Sequence, residues 1–111
     1  MKKKYVKLFE ETNTVEKVQE LIEQNILVVL HLLPIRFGGS DDYNNIVCVS
    51  DIILQLKERC DNLIEELLMD DKVNQYECIP NYKGDSFIPK ELVINAKKDD
   101  KLVFTQIIDI W

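Results

Sequence analysis

The chain has 111 residues, of which 46% are hydrophobic and 31% are charged, and these values are ordinary for one globular domain spanning residues 1–111. Its net charge of −6 excludes a broadly basic surface, so we expect no binding to nucleic acid. The longest apolar run, residues 26–33, contains His31 and is too short to span a bilayer. We therefore expect a soluble, cytoplasmic protein without a membrane partner.

The three cysteines, Cys48, Cys60 and Cys78, lie far apart in the chain. They form no CxxC motif and no cluster with histidine, so we expect no zinc site, and no other motif indicates a cofactor. Three reduced, mostly buried thiols in a reducing compartment are expected, and one disulfide with a leftover thiol is the alternative.

The first predicted helix covers residues 15–24. Its apolar residues recur at helical spacing on one face, and Asn13 or Thr14 can cap its first turn. Residues 26–33 follow directly and are rich in β-branched and other apolar side chains. This pattern predicts a central strand that is covered on both faces.

The stretch that begins at His31 comes closest to a catalytic motif. His31, Pro34, the pair Gly38-Gly39 and Asn45 follow one another in an order that resembles the middle of an HNH nuclease. Such a site needs a further histidine after the asparagine, whereas His31 is the only histidine of the chain. One imidazole cannot be both the general base and a metal ligand, so we expect a protein that is not an enzyme.

Residues 38–45 are predicted to form a loop, and residues 46–49 a short strand antiparallel to the preceding one. The glycine amides of the loop could bind phosphate, but Asp41 and Asp42 stand where the anion would lie. A cation or a basic partner therefore suits the loop better. The enzymatic alternative is a degenerate, metal-dependent hydrolase around His31, Asp41, Asp42 and Asn45.

The second predicted helix begins after Ser50, a candidate N-cap. Its predicted buried stripe consists of Ile53, Leu56, Cys60, Leu63, Ile64 and Leu67. The opposite face carries a polar row, made of Asp51, Gln55, Glu58, Asn62, Glu65 and Glu66. Nine acids against two bases give residues 41–71 a charge of −7, which attracts a basic partner. The alternative is an ordinary solvated helix face that keeps the protein in solution.

Three strands are predicted in the last third of the chain. Residues 73–79 alternate poorly and indicate an edge strand, while residues 92–96 and 102–111 form a hairpin through a turn at residues 98–101. We expect Trp111 to be docked against the domain. The predicted order is α-β-β-α-β-β-β, an α+β domain with two helices on one face of a mainly antiparallel sheet of about five strands.

Two segments together resemble a known family. One is LPIRFGG at residues 33–39, which leads through Asp41-Asp42 to NIV at residues 45–47; the other is YKGDSFIP at residues 82–89 together with IDIW at residues 108–111. This pairing resembles small bacterial immunity proteins of contact-dependent growth inhibition and other polymorphic toxin systems. The resemblance implies a cytoplasmic antitoxin that binds its cognate toxin domain, commonly a nuclease, and covers the toxin's active or substrate-binding surface. It implies no small-molecule substrate and no catalytic residues.

An acidic surface would steer association with a basic nuclease and compete with its nucleic-acid substrate. The predicted partner-binding residues are Asp41, Asp42, Asp51, Glu58, Asn62, Glu65 and Glu66. If the loop and the helix row lie at one end of the domain, they form a single patch. A third hypothesis is an adaptor or subunit that self-assembles through an exposed sheet edge, with residues 73–79 as the candidate edge.

Overall fold

The computed structural model describes residues 5–111. Within this range the chain forms three helices and five strands in two antiparallel sheets. In chain order they are α1 (Val6–Glu10), α2 (Val15–Glu23), β1 (Val28–His31), β2 (Ile46–Val49), α3 (Asp51–Met69), β3 (Gln75–Asn81), β4 (Glu91–Lys98) and β5 (Lys101–Asp109). The predicted α+β class is confirmed, and α1 adds one short helix to the predicted order. No helix of residues 5–111 is long and apolar enough to cross a membrane.

The start of α2 follows from a side-chain cap. Thr14 has an extended backbone, and its side chain accepts a hydrogen bond from Lys17 N at 3.2 Å. Asn13 instead accepts a hydrogen bond from Lys17 Nζ at 3.0 Å. The chain leaves the helix through Asn25, which has a positive φ of 60°. The predicted helix over residues 15–24 is therefore confirmed to within one residue.

The smaller sheet consists of β1 and β2 alone, paired antiparallel with Leu30 opposite Val47. The prediction that the first strand is central and covered on both faces is wrong. Leu30 is fully buried, whereas Val29, on the other face, is 46% exposed. Each strand has only four residues, and neither pairs with the other sheet in residues 5–111, so the five strands do not form one continuous sheet.

The larger sheet has the order β3-β4-β5. Its central strand β4 buries Leu92, Ile94 and Ala96 completely on one face. The turn between β4 and β5 consists of Asp99 and Asp100, both with positive φ, a conformation that suits a two-residue hairpin turn. The predicted hairpin is confirmed, and β3 is an edge strand, as predicted.

Helix α3 lies between the two sheets and contacts β1 along one side and β5 along the other. It begins after Ser50, as predicted, although the serine side chain makes no capping hydrogen bond. Ile53, Cys60 and Ile64 of the predicted stripe are buried. The prediction that Leu56 and Leu63 are buried is wrong, because they are 40% and 46% exposed. Lys57 and Asp61 are buried instead.

Trp111 is docked, as predicted, and only 2% exposed. Its indole Nε1 donates to the carbonyl of Ile88 at 3.0 Å, and Lys90 Nζ donates to the Trp111 carbonyl. Ser86 donates its hydroxyl to the carbonyl of Phe9, so the same segment also fastens the N-terminal helix. The residues that carry the second half of the family resemblance therefore hold the fold together.

Candidate functional site

The loop between β1 and β2, residues 32–45, contains two short 3-10 turns, Ile35–Phe37 and Tyr43–Asn45. Gly38 ends the first turn in the left-handed region, with φ at 98°. A Cβ on Gly39 would lie 1.9 Å from the carbonyl oxygen of Leu33, so only glycine fits there. The Gly-Gly pair is thus explained by backbone geometry and close approach.

Asn45 holds this loop closed. Its Oδ1 accepts a hydrogen bond from Leu33 N at 2.8 Å, and its Nδ2 donates to the carbonyls of Leu33 at 3.0 Å and Ser40 at 2.8 Å. The side-chain amide of the asparagine that resembles an HNH residue is therefore hydrogen-bonded to backbone groups of the loop.

His31 and Asp41 are hydrogen-bonded across the loop, with 2.7 Å between His31 Nε2 and Asp41 Oδ1. The imidazole is 28% exposed and the carboxylate 86% exposed. Ser40 donates its hydroxyl to Asp42 at 3.1 Å, so this nearby oxygen is directed to a carboxylate rather than to the imidazole. No three His, Cys, Asp or Glu side chains of residues 5–111 are arranged to hold a metal ion. The contact between His31 and Asp41 ties the loop to the end of β1.

Arg36 joins the loop to the polar row of α3. Its Nε donates to Glu65 Oε2 at 2.8 Å, and its NH2 donates to Asn62 Oδ1 at 2.9 Å. Arg36, His31 and Glu58 also line one small cavity of about 80 Å³. The loop and the middle of the predicted row therefore lie side by side.

The remaining predicted partner-binding residues spread away from this junction. Asp51 begins α3 and accepts a hydrogen bond from Gln55 at 2.6 Å, and Glu66 is exposed near the other end of the helix. They lie about 22 Å apart along the helix axis. Asp42 is exposed on the loop. Of the seven residues, the structure therefore brings Asp41, through His31, together with Glu58, Asn62 and Glu65, whereas Asp42, Asp51 and Glu66 lie outside these contacts.

Two exposed apolar residues of the loop were missed by sequence reasoning. Tyr43 is 92% exposed and follows Asp41 and Asp42 directly, and Ile35 is 53% exposed beside Arg36. Exposed aromatic residues flanked by polar groups are frequent anchors of protein interfaces. An aromatic residue within a polar, acidic loop was the signal in the sequence that could have identified Tyr43.

Behind the loop lies a buried polar network that the sequence did not reveal. Lys57 and Asp61 are 2% and 3% exposed, with 2.6 Å between Nζ and Oδ2. Tyr76 donates its hydroxyl to Asp61 Oδ1 at 2.7 Å and accepts a hydrogen bond from Lys57 Nζ at 3.1 Å. Burial, followed by the neighbouring Asp61 charge, raises the pKa of Tyr76 far above its usual range. These groups satisfy one another, so the network fixes α3 against β3.

The three cysteines are free. Burial is the largest cause that raises the pKa of Cys60 to about 11 and of Cys78 to about 12, and it raises the pKa of Cys48 as well. Because the thiolate is the nucleophile, thiols with raised pKa values are unreactive at neutral pH.

Neither a protein-family model, nor a curated protein, nor a solved structure shows significant similarity to this chain. The function must therefore be argued from the residues of the chain itself.

Proposed function

We propose that this chain is a cytoplasmic immunity protein, which binds a cognate toxin domain, a basic nuclease, and covers the toxin's active or substrate-binding surface. The observation that carries the proposal is the braced, acidic loop beside α3. Asp41, Asp42 and Tyr43 stand on a loop that Asn45 holds closed and Arg36 joins to the helix. A surface that is ordered before binding loses little conformational entropy when the complex forms.

The negative charge of the chain also supports the loop and α3 as the toxin-binding surface. The chain carries −6 overall and −7 within residues 41–71, which include the loop and α3. A negative surface of this kind accelerates encounter with a positively charged protein and occupies the place of a nucleic-acid backbone. The exposed Tyr43 ring beside the carboxylates would supply the apolar anchor that charge alone does not provide.

The decisive experiment is co-expression with the C-terminal toxin domain encoded immediately upstream of this gene, followed by a binding titration. We expect survival of the host and a dissociation constant of about 1 nM, which corresponds to about −12 kcal/mol. A toxin that neither binds nor is neutralised would refute the proposal.

The surface is mapped by three single variants. Glu58→Lys and Tyr43→Ala should each weaken toxin binding by at least about tenfold. The matched control is Glu23→Lys, which makes the same change of charge on an exposed residue near the end of α2. If Glu23→Lys weakens binding as much as Glu58→Lys does, only the net charge matters and the proposed surface is wrong.

The His31–Asp41 contact of 2.7 Å is the one observation that favours the hydrolase alternative. That alternative requires divalent-metal binding that depends on His31. If the immunity proposal is correct, Mg²⁺ and Zn²⁺ leave the thermal melting of wild type and His31→Ala unchanged. A metal-induced rise in melting temperature that His31→Ala abolishes would favour the hydrolase.

A further inference from the structure

Arg36 is the only basic residue of loop 32–45, and it stands in the acidic surface that we assign to toxin binding. Its Nε donates to Glu65 at 2.8 Å and its NH2 donates to Asn62 at 2.9 Å, so one guanidinium bridges two neighbouring residues on one face of α3. The planar fork of arginine fixes a direction as well as a distance when two of its donors are engaged. These two contacts therefore set where the loop lies against the helix.

A pair of aromatic rings continues this link from Arg36 into the core. The guanidinium carbon of Arg36 lies 5.2 Å from the centroid of the Phe37 ring. The Phe37 ring in turn meets the Tyr76 ring edge-on, with 5.2 Å between their centroids. Tyr76 belongs to the buried network with Lys57 and Asp61. The guanidinium therefore contacts α3 on one side and, on the other, a ring pair that is anchored in the interior.

The polar groups of the acidic surface differ in whether a cation already faces them. Glu65 is paired with Arg36, and the side-chain oxygen of Asn62 accepts a hydrogen bond from the same guanidinium. Glu58 and Asp42 are exposed, and within residues 5–111 neither carboxylate has a cation partner. A basic side chain of a toxin can approach Glu58 directly, whereas at Glu65 it meets the positive charge of Arg36.

We propose that Arg36 is a positioning residue of the toxin-binding surface, and that Asn62 and Glu65 act through Arg36 instead of touching the toxin. The contacts with the toxin then fall to Glu58, Tyr43 and the two aspartates of the loop. This inference rests on the proposed immunity function and divides its surface into residues that hold the loop and residues that meet the partner. A loop that is held in its bound position before the encounter loses less conformational entropy on binding, which is what Arg36 contributes.

The charge of Arg36 makes attraction and positioning predict opposite results. Arg36→Gln removes a positive charge from an acidic surface, so electrostatic attraction alone predicts tighter binding of a basic toxin. Loss of a positioning contact predicts weaker binding, because only the fraction of molecules with the loop in place can bind. We expect isothermal titration calorimetry to show a dissociation constant raised about fivefold in Arg36→Gln. The matched control is Arg59→Gln, the same change at an exposed residue on the β5 side of α3, which should not raise it.

Two variants of Glu65 test whether it acts through Arg36. Glu65→Gln loses the charge but keeps an oxygen that can accept from Arg36 Nε, whereas Glu65→Ala loses both. Because the two variants have the same charge, the difference between them measures the bond alone. A positioning role predicts that Glu65→Gln binds the toxin at least about threefold more tightly than Glu65→Ala. In a double-mutant cycle, Glu65→Ala should add no further loss to Arg36→Gln, because both remove the same bond.

Measurements on the free chain separate positioning from loss of the fold. The side chains of Arg36 and Glu65 are 42% and 44% exposed, so removal of their bond should cost little global stability and the variants should stay folded by circular dichroism. The amides of residues 37–39 are hydrogen-bonded within the loop. Their hydrogen exchange should become faster in Arg36→Gln and stay unchanged in Arg59→Gln.

The outcomes distinguish the inference from the function on which it rests. A wild type that does not bind the toxin would refute the proposed function. If wild type binds, equal or tighter binding by Arg36→Gln would overturn the inference, and so would equal losses in Glu65→Gln and Glu65→Ala. Unchanged hydrogen exchange of residues 37–39 in Arg36→Gln would overturn the positioning role without any toxin.

Discussion

Along one flank of α3, next to β1 and loop 32–45, the helix buries Lys57 and Asp61; along the other, next to β5, it leaves Leu56 and Leu63 accessible to solvent. We call these the closed flank and the open flank. The closed flank tolerates charge because Lys57, Asp61 and Tyr76 hydrogen-bond to one another. The open flank stays apolar although the described chain covers it only partly. The polarity of a residue in α3 therefore does not decide whether it is buried; the contacts that each flank makes decide it.

The largest effect is expected from breaking the closed flank. Asp61→Ala leaves the buried Lys57 charge without its partner and should lower the free energy of unfolding by about 3–5 kcal/mol. Urea unfolding measures this change. The double variant Lys57→Met with Asp61→Leu should recover much of the loss, since it removes both charges together. A loss below about 1 kcal/mol in Asp61→Ala would mean that the ion pair is not buried in solution.

Adjacent residues of α3 sharpen the comparison. Ile64 is fully buried and Leu63 is 46% exposed on the open flank. Ile64→Ala should cost about 2–5 kcal/mol of stability, the range for a large-to-small core substitution. Leu63→Ala should cost less than about 1 kcal/mol, because much of its surface already contacts water. Equal losses in urea unfolding would show that the open flank is covered in solution.

The loop against the closed flank is tested through Asn45. Asn45→Ala removes three hydrogen bonds to the loop backbone and should lower stability by about 1–3 kcal/mol. Its neighbour Asn44 is exposed, so Asn44→Ala should change stability by less than about 0.5 kcal/mol. Thermal melting of both variants compares them directly. If the two asparagines prove equivalent, Asn45 does not brace the loop.

The smallest effect is expected at the end of α3. There an exposed ion pair, with 2.8 Å between Asp71 Oδ1 and Lys98 Nζ, connects the helix end to the larger sheet. The hydrogen bond from Lys98, and then its charge, lowers the pKa of Asp71. The hydrogen bond to Asp71 is likewise the first cause that raises the pKa of Lys98. The pair therefore contributes stability above the unfolded carboxyl pKa of about 3.9 and loses it as the pH falls through the lowered value.

At alkaline pH the same pair loses its contribution to stability as the pH rises. The contribution is complete below the unfolded lysine pKa of about 10.4 and is lost as the pH rises through the raised value of Lys98. Asp71→Asn keeps the side-chain shape, and asparagine tolerates the positive φ at this position. We expect urea midpoints of this variant to fall less than those of wild type between pH 5 and strong acid, with Asp70→Asn as the control for one lost charge. Parallel curves for wild type and Asp71→Asn would contradict the assignment.

Local patterns predicted most of the elements. The helical spacing of apolar residues located α2 and α3, and the acidic turn at Asp99-Asp100 located the hairpin of β4 and β5. The five residues of α1 are too few to show a period. The separation of β1 and β2 from the larger sheet was also beyond prediction, because strand pairing between distant segments leaves no trace in a single run of residues.

The candidate site was predicted only in part for the same reason. The loop and the helix row were each visible as acidic segments, but their junction depends on Arg36 reaching Asn62 and Glu65, 26 and 29 residues further along the chain. Lys57 and Asp61 look like any surface pair at helical spacing, and only the position of Tyr76 shows that they are buried.

Trp111 is the only tryptophan of the chain, and it is buried against the carbonyl of Ile88 with the Lys90 ammonium 5.2 Å from its ring centroid. The protein therefore contains a single tryptophan fluorophore, which lies where β4 and β5 meet the segment that contacts the N-terminal helix. Its emission is expected to shift to longer wavelength when this region opens to water, so one optical signal follows unfolding without any attached dye.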